Sequence, residues 1–142
     1  MESEARNLYV ERILVFSGGG LVSVIIFEDN EARVLIDWPE SIALQSMALV
    51  AKIYNVYRET GRRIIFRSSW VAYIPEDSDY IVVAKLKQKK YLLPIVGLTR
   101  RIGKALKDVP EESGLIGELV VSIFREYFGL VLRIVKQREI IQ

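Results

Sequence analysis

Cysteine and histidine are both missing from the 142 residues, and that absence decides most of the available chemistry. Thiol nucleophiles, disulfides, imidazole bases, zinc clusters and serine-histidine-aspartate triads are all excluded. Carboxylates, lysine, arginine, tyrosine and hydroxyls remain. They could serve carboxylate-bound magnesium or a paired-acid mechanism if acids converged in a cleft. Thirteen Glu and five Asp are scattered, however, and the one dense run, Glu76-Asp77-Ser78-Asp79, follows Pro75 between two apolar stretches. Proline and aspartate are what a strand-to-strand turn requires. Gly18-Gly19-Gly20 could wrap an anion, but a phosphate loop also needs a following Lys-Ser/Thr and a helix start, whereas Leu-Val-Ser-Val-Ile-Ile follows here. No catalytic residue, no cofactor and no metal ligand is therefore expected.

Two non-covalent chemistries stay open. Lys85, Lys87 and Lys89 recur at every second residue, and Lys90, Arg100, Arg101, Lys104 and Lys107 follow within 23 positions. If strand end and helix face adjoin, these bases form an anion-binding patch for nucleic acid or lipid headgroups, with Tyr91 available for stacking. The plainer alternative is a solvated helix face paired with Glu111 or Glu112. Aromatics form the second set: Tyr54 and Tyr57 on a helix with surplus apolar residues, and Trp70 and Tyr73 on the strands after it. Such side chains dominate interface energetics.

Hydrophobic residues make up 51% and charged residues 27%, a globular composition filling one domain over residues 1–142. The longest uncharged stretch, Ile13 to Phe27, is broken by the glycines and suits a hairpin rather than a membrane span. The acidic start, Met1-Glu2-Ser3-Glu4, is unlike a secretory peptide, so a cytoplasmic location is the default expectation. A net charge of +2 is too small to argue for nucleic acid by itself. Twelve Arg against eight Lys, with 17 Ile and 16 Val, is a composition familiar from heat-adapted proteins.

Positioning these groups requires the following elements. Residues 1–7 read as a flexible tail. Leu8–Phe16 and Leu21–Phe27 flank the glycine turn as a hairpin whose near-continuous apolar character suggests cover on both faces. Ala32–Trp38 is either a short strand or an extended lead-in. A helix is expected from Pro39 to Thr60, stopped by Gly61, followed by Arg62–Ser68 and Trp70–Ile74 as two strands or one bent strand broken near Ser68-Ser69, and by a further strand at Tyr80–Leu86. Tyr91, Ile95, Leu98, Ile102, Ala105 and Val109 step at helical spacing, and this helix ends at Asp108-Val109-Pro110. A last helix begins at Glu112-Ser113. Its polar line of Glu118, Ser122 and Arg125 runs on through Arg133 and Lys136, which favours continuation to about Arg138, within a possible extension over 130–142, above a stop at Gly129.

The resulting order ββαβββαα implies an α+β fold: a three-layer α/β/α sandwich with a mostly antiparallel sheet of about five strands. This order resembles the longin, or SNARE-like, family. Members include the N-terminal domain of the signal-recognition-particle receptor alpha subunit, clathrin adaptor small subunits and TRAPP small subunits. Ile13-Leu14-Val15-Phe16-Ser17-Gly18-Gly19-Gly20-Leu21-Val22 looks like their first hairpin. Ile64 to Tyr73 followed by Tyr80-Ile81-Val82-Val83 is similar to their central strands. The resemblance covers roughly Leu8 to Tyr127 and implies a non-catalytic interaction scaffold, self-associating as a homodimer or binding a small GTPase or another trafficking partner. Anionic-surface binding is the alternative. A small-molecule sensor of PAS or profilin type ranks below both, because no convergent polar cluster marks a cavity.

Overall fold

Gly18 and Gly19 take φ of +59° and +84°, the pair of positive angles that a two-residue hairpin loop of type I′ demands. The loop joins strand β1 (Val10–Ser17) to β2 (Gly20–Phe27) in antiparallel register, with Leu14 opposite Val24. The structure is a computed structural model and describes residues 6–138. Next come β3 (Glu31–Leu35), helix α1 (Glu40–Thr60), β4 (Ile64–Arg67), β5 (Trp70–Tyr73) and β6 (Tyr80–Leu86). A single 3-10 turn at Lys89–Tyr91 leads into α2 (Leu92–Ala105), followed by α3 (Ser113–Phe128) and β7 (Arg133–Gln137).

The fold is mixed α+β, and its sheet holds seven strands in the order β4-β5-β6-β1-β2-β3-β7, larger than the five expected. One added strand is β3, which settles the question left open by Ala32–Trp38. The other, β7, corrects the expected helical extension. Gly129 adopts φ +65°, which lets the Leu130 amide donate back to the Arg125 carbonyl at 3.0 Å and closes the helix. Leu130 and Leu132 are then buried, and Arg133–Gln137 pairs in parallel with β3. Burial of two leucines, roughly 3 kcal/mol or more together, outweighs a helical polar stripe that would stay in water either way. The remainder of the supposed extension, 139–142, lies outside the described residues.

The flexible tail is corrected as well. Residues 1–5 lie outside the described set, but Asn7 is fully buried. Its Nδ2 donates to the Val10 carbonyl at 2.6 Å, and its Oδ1 accepts from the amides of Tyr9 and Val10 at 3.0 and 3.1 Å. A buried amide with these three partners anchors the entry to β1.

Alternation along the central strands feeds two apolar clusters. Ile13, Val15, Val82 and Ala84 join Ile95, Leu98 and Ile102 of α2 and Ile116, Val120 and Phe124 of α3. Leu14, Phe16, Ile81 and Val83 join Val50 and Ile53 of α1. Two close seats fix α2 and α3: Gly103 lies against the Tyr73 ring, and Gly117 against Val34. Glu112 starts α3 by accepting from the amides of Gly114 and Leu115 at 2.9 and 2.7 Å. No described helix is long and apolar enough to cross a membrane.

Candidate interaction surfaces

Helix α1 packs on the sheet largely through half-buried side chains, Ile42, Leu49, Tyr54, Val56 and Tyr57. Of its 21 residues only Ser46, Val50 and Ile53 are buried. The opposite side carries Leu44 at 63% exposure and Met47 at 45%, followed at helical spacing by the exposed Ala48 and Ala51. Between Glu40 and Lys52 the helix bears no charge. Leu44 gave no separate signal in the sequence, although the apolar arc of this helix was already wider than one packing face needs.

The four aromatics expected at an interface divide between faces and roles. Tyr54 and Tyr57 are half-buried on the sheet-facing flank of α1. Arg63 holds Tyr57 in place, donating to its hydroxyl at 3.2 Å with the guanidinium 5.3 Å from the ring centre, and also donates to the carbonyls of Ile74 and Pro75. Tyr57 thus ties α1 to the β4 and β5 edge. Trp70 is half-buried in a crevice of about 40 Å³ under α1, alongside Arg12 and Leu49. Tyr73 is buried on the other side of the sheet beneath Gly103, so it is a seat for α2 rather than an exposed contact.

The eight bases are likewise separated. Lys85 points to the α1 side, pairs with Glu11 at 3.2 Å and lies 5.9 Å from the Trp70 ring. Lys87 pairs with Asp29 at 3.6 Å, and both lysines line an open cleft of about 570 Å³ with Arg12. Lys89 and Lys90 stand exposed on the 3-10 turn. Arg100, Lys104 and Lys107 border a second cleft of about 410 Å³ at the far end of β6, where Glu76 and Asp77 face them. Arg101 binds Glu126 at 3.1 Å. No single patch unites all eight, because the strand end and the helix face lie at opposite ends of β6, roughly 20 Å apart at 3.4 Å per residue.

Glu31 is engaged by two arginines. Arg133 contacts it at 2.6 Å and Arg33 at 3.0 Å. The hydrogen bond from Arg133, then that from Arg33, holds its carboxyl below the ordinary 4.5. Burial, with a smaller contribution from Glu111, pushes the Tyr80 hydroxyl up, and that hydroxyl donates to the Val109 carbonyl. Both are ties between elements. Among the described residues no group of three or more acids gathers as a metal site. No family model, curated protein or solved structure matches the chain.

Proposed function

We propose that this chain is a non-catalytic protein-protein interaction scaffold of longin-like, three-layer type that pairs with a second copy of itself. The sheet order β4-β5-β6-β1-β2, with α1 entering between the first hairpin and β4, supports the longin-like reading, to which β3 and β7 are additions at one edge. The observation that carries the association is the uncharged apolar stripe of Leu44, Met47, Ala48 and Ala51, which lies exposed on the side of α1 away from its packed face.

A second copy fits this stripe for a physical reason. Twofold pairing places the same patch against itself, so any net charge on it would repel, and this segment has none. The small alanines allow close approach while Leu44 and Met47 supply the contact. Pairing through the open edge of β4 is less favourable, since that strand has four residues and carries exposed Arg67, both features that discourage edge addition.

Light scattering after gel filtration tests the proposal. Fully burying a leucine is worth about 1.5–3 kcal/mol, so covering the exposed two thirds of Leu44 on both copies contributes roughly 2–4 kcal/mol. Leu44→Glu is expected to weaken the dimer about 30-fold or more while leaving the melting temperature of the monomer unchanged. A wild-type protein that stays monomeric throughout the micromolar range refutes the second copy as occupant.

A further inference from the structure

Four chain segments meet at one end of the sheet: the approach to β1, the β2–β3 turn, the β6–α2 connection and the α3–β7 connection. The Asn7 amide donates to the Asp29 carbonyl at 3.2 Å, that of Lys87 to the Tyr9 carbonyl at 2.9 Å, and that of Arg133 to the Asn30 carbonyl at 2.9 Å. Behind them the ring of Tyr9 lies 4.0 Å from that of Phe128 and 4.8 Å from that of Tyr91. These contacts tie the segments together into one tip.

Two properties of the tip are unusual in combination. Three aliphatic side chains project from it, Leu8 at 43%, Leu93 at 80% and Val131 at 89% exposure. The flanking charge is also unevenly matched. Each acid here is taken: Glu28 by Arg33, Asp29 by Lys87, and Glu31 by Arg33 and Arg133. Exposed Arg6, Lys89 and Lys90 are left with no ion pair among the described residues, Lys90 resting 5.2 Å from the Tyr91 ring centre.

We infer that this tip docks on an anionic phospholipid bilayer, with Leu93 and Val131 entering the headgroup-acyl boundary and Arg6, Lys89 and Lys90 lying against the phosphates. Protruding aliphatics ringed by cations gain on both counts at such an interface, by burying apolar area and by charge attraction. Nucleic acid is the weaker match. Its stacking partners would have to be Tyr9, Tyr91 and Phe128, whose rings already pack on one another, and its backbone offers nothing to leucine or valine.

Co-sedimentation of the full chain with phosphatidylcholine vesicles, with and without phosphatidylserine, provides the test. Binding is expected only where phosphatidylserine is present. Lys89→Glu and Lys90→Glu should each lower partition by about five-fold or more, and Leu93→Glu with Val131→Glu should abolish it. These positions are exposed, so the folded melting transition serves as the control. In a separate variant, Leu93→Trp, fluorescence from the new indole should shift to the blue on vesicles. No sedimentation with phosphatidylserine vesicles overturns the inference. So does binding indifferent to the Leu93 and Val131 changes, or salt-sensitive retention on single-stranded nucleic acid in place of vesicles.

Discussion

Replacing Gly117 by alanine sets two opposed effects against each other at the seat of α3 on β3. A Cβ at Gly117 would fall 2.3 Å from Val34 Cγ1 and 3.1 Å from Cγ2. Reaching an ordinary carbon contact of about 3.5 Å requires a shift of roughly 1 Å. Val34 cannot swing aside, because it is β-branched, fully buried and held between β2 and β7 by pairing on both sides. Overpacking of this kind costs about 1–3 kcal/mol. Against it stands the helix preference of alanine over glycine, about 1 kcal/mol. The steric effect is the larger over most of that range, so Gly117→Ala should lose up to about 2 kcal/mol and lower the melting temperature by up to roughly 8 °C. Val34→Ala alone removes two methyl groups and leaves a hole, at about 2 kcal/mol. In the double variant the new methyl enters that hole, so the combined loss should fall short of the sum by about 1–2 kcal/mol. Urea titrations of the four proteins measure this coupling. A Gly117→Ala protein more stable than wild type, or strictly additive losses, would refute a close-packed seat.

Asn7→Ala should destabilise by about 2–3 kcal/mol, since it strips the buried Val10 carbonyl and two amides of their partner, and should speed proteolysis after Arg6. Acid acts through Glu31. Its folded value is depressed, so its stabilising contribution is complete above the ordinary 4.5 and is lost as pH falls through the depressed value. Protection of the β7 amides, taken relative to the intrinsic exchange rate at each pH, should therefore fall on acidification before that of β1 and β6 does, and Glu31→Gln should remove this dependence.

The parts of the fold legible in the sequence are those whose signals are local. Two glycines at a hairpin loop, Gly61 after α1 and the stepped apolar positions of α2 each act within a few residues of where they sit. β7 was hidden for the opposite reason. Its pairing partner begins at Glu31, 102 positions before Arg133, and half-exposed Ile134 and Val135 in a five-residue edge strand give no clear alternation. Meanwhile Glu118 and Lys136, whose spacing suggested one helical stripe, do meet, at 2.7 Å, but across the turn from α3 to a strand. Asn7 escaped because one polar residue near a chain start carries no pattern.

Among the surface residues, the surplus of α1 was visible as too wide an apolar arc, whereas which side chains formed the surplus depended on how the helix settled on the sheet. Alternation along β5 decided the rest: Trp70 and Tyr73 are three residues apart and so face opposite ways. The run of bases looked continuous in sequence because nothing local marks the distance that a strand and a helix place between Lys85 and Lys107.

The parallel match of β7 to β3 also sets a timetable for biosynthesis. A ribosome delivers β3 early, yet the strand that covers its outer side appears about a hundred residues afterwards. Throughout that interval the nascent polypeptide displays an unpaired β3 rim, and chains stalled or cleaved before Arg133 keep it permanently. Such fragments should be the species that cling to chaperones or to one another.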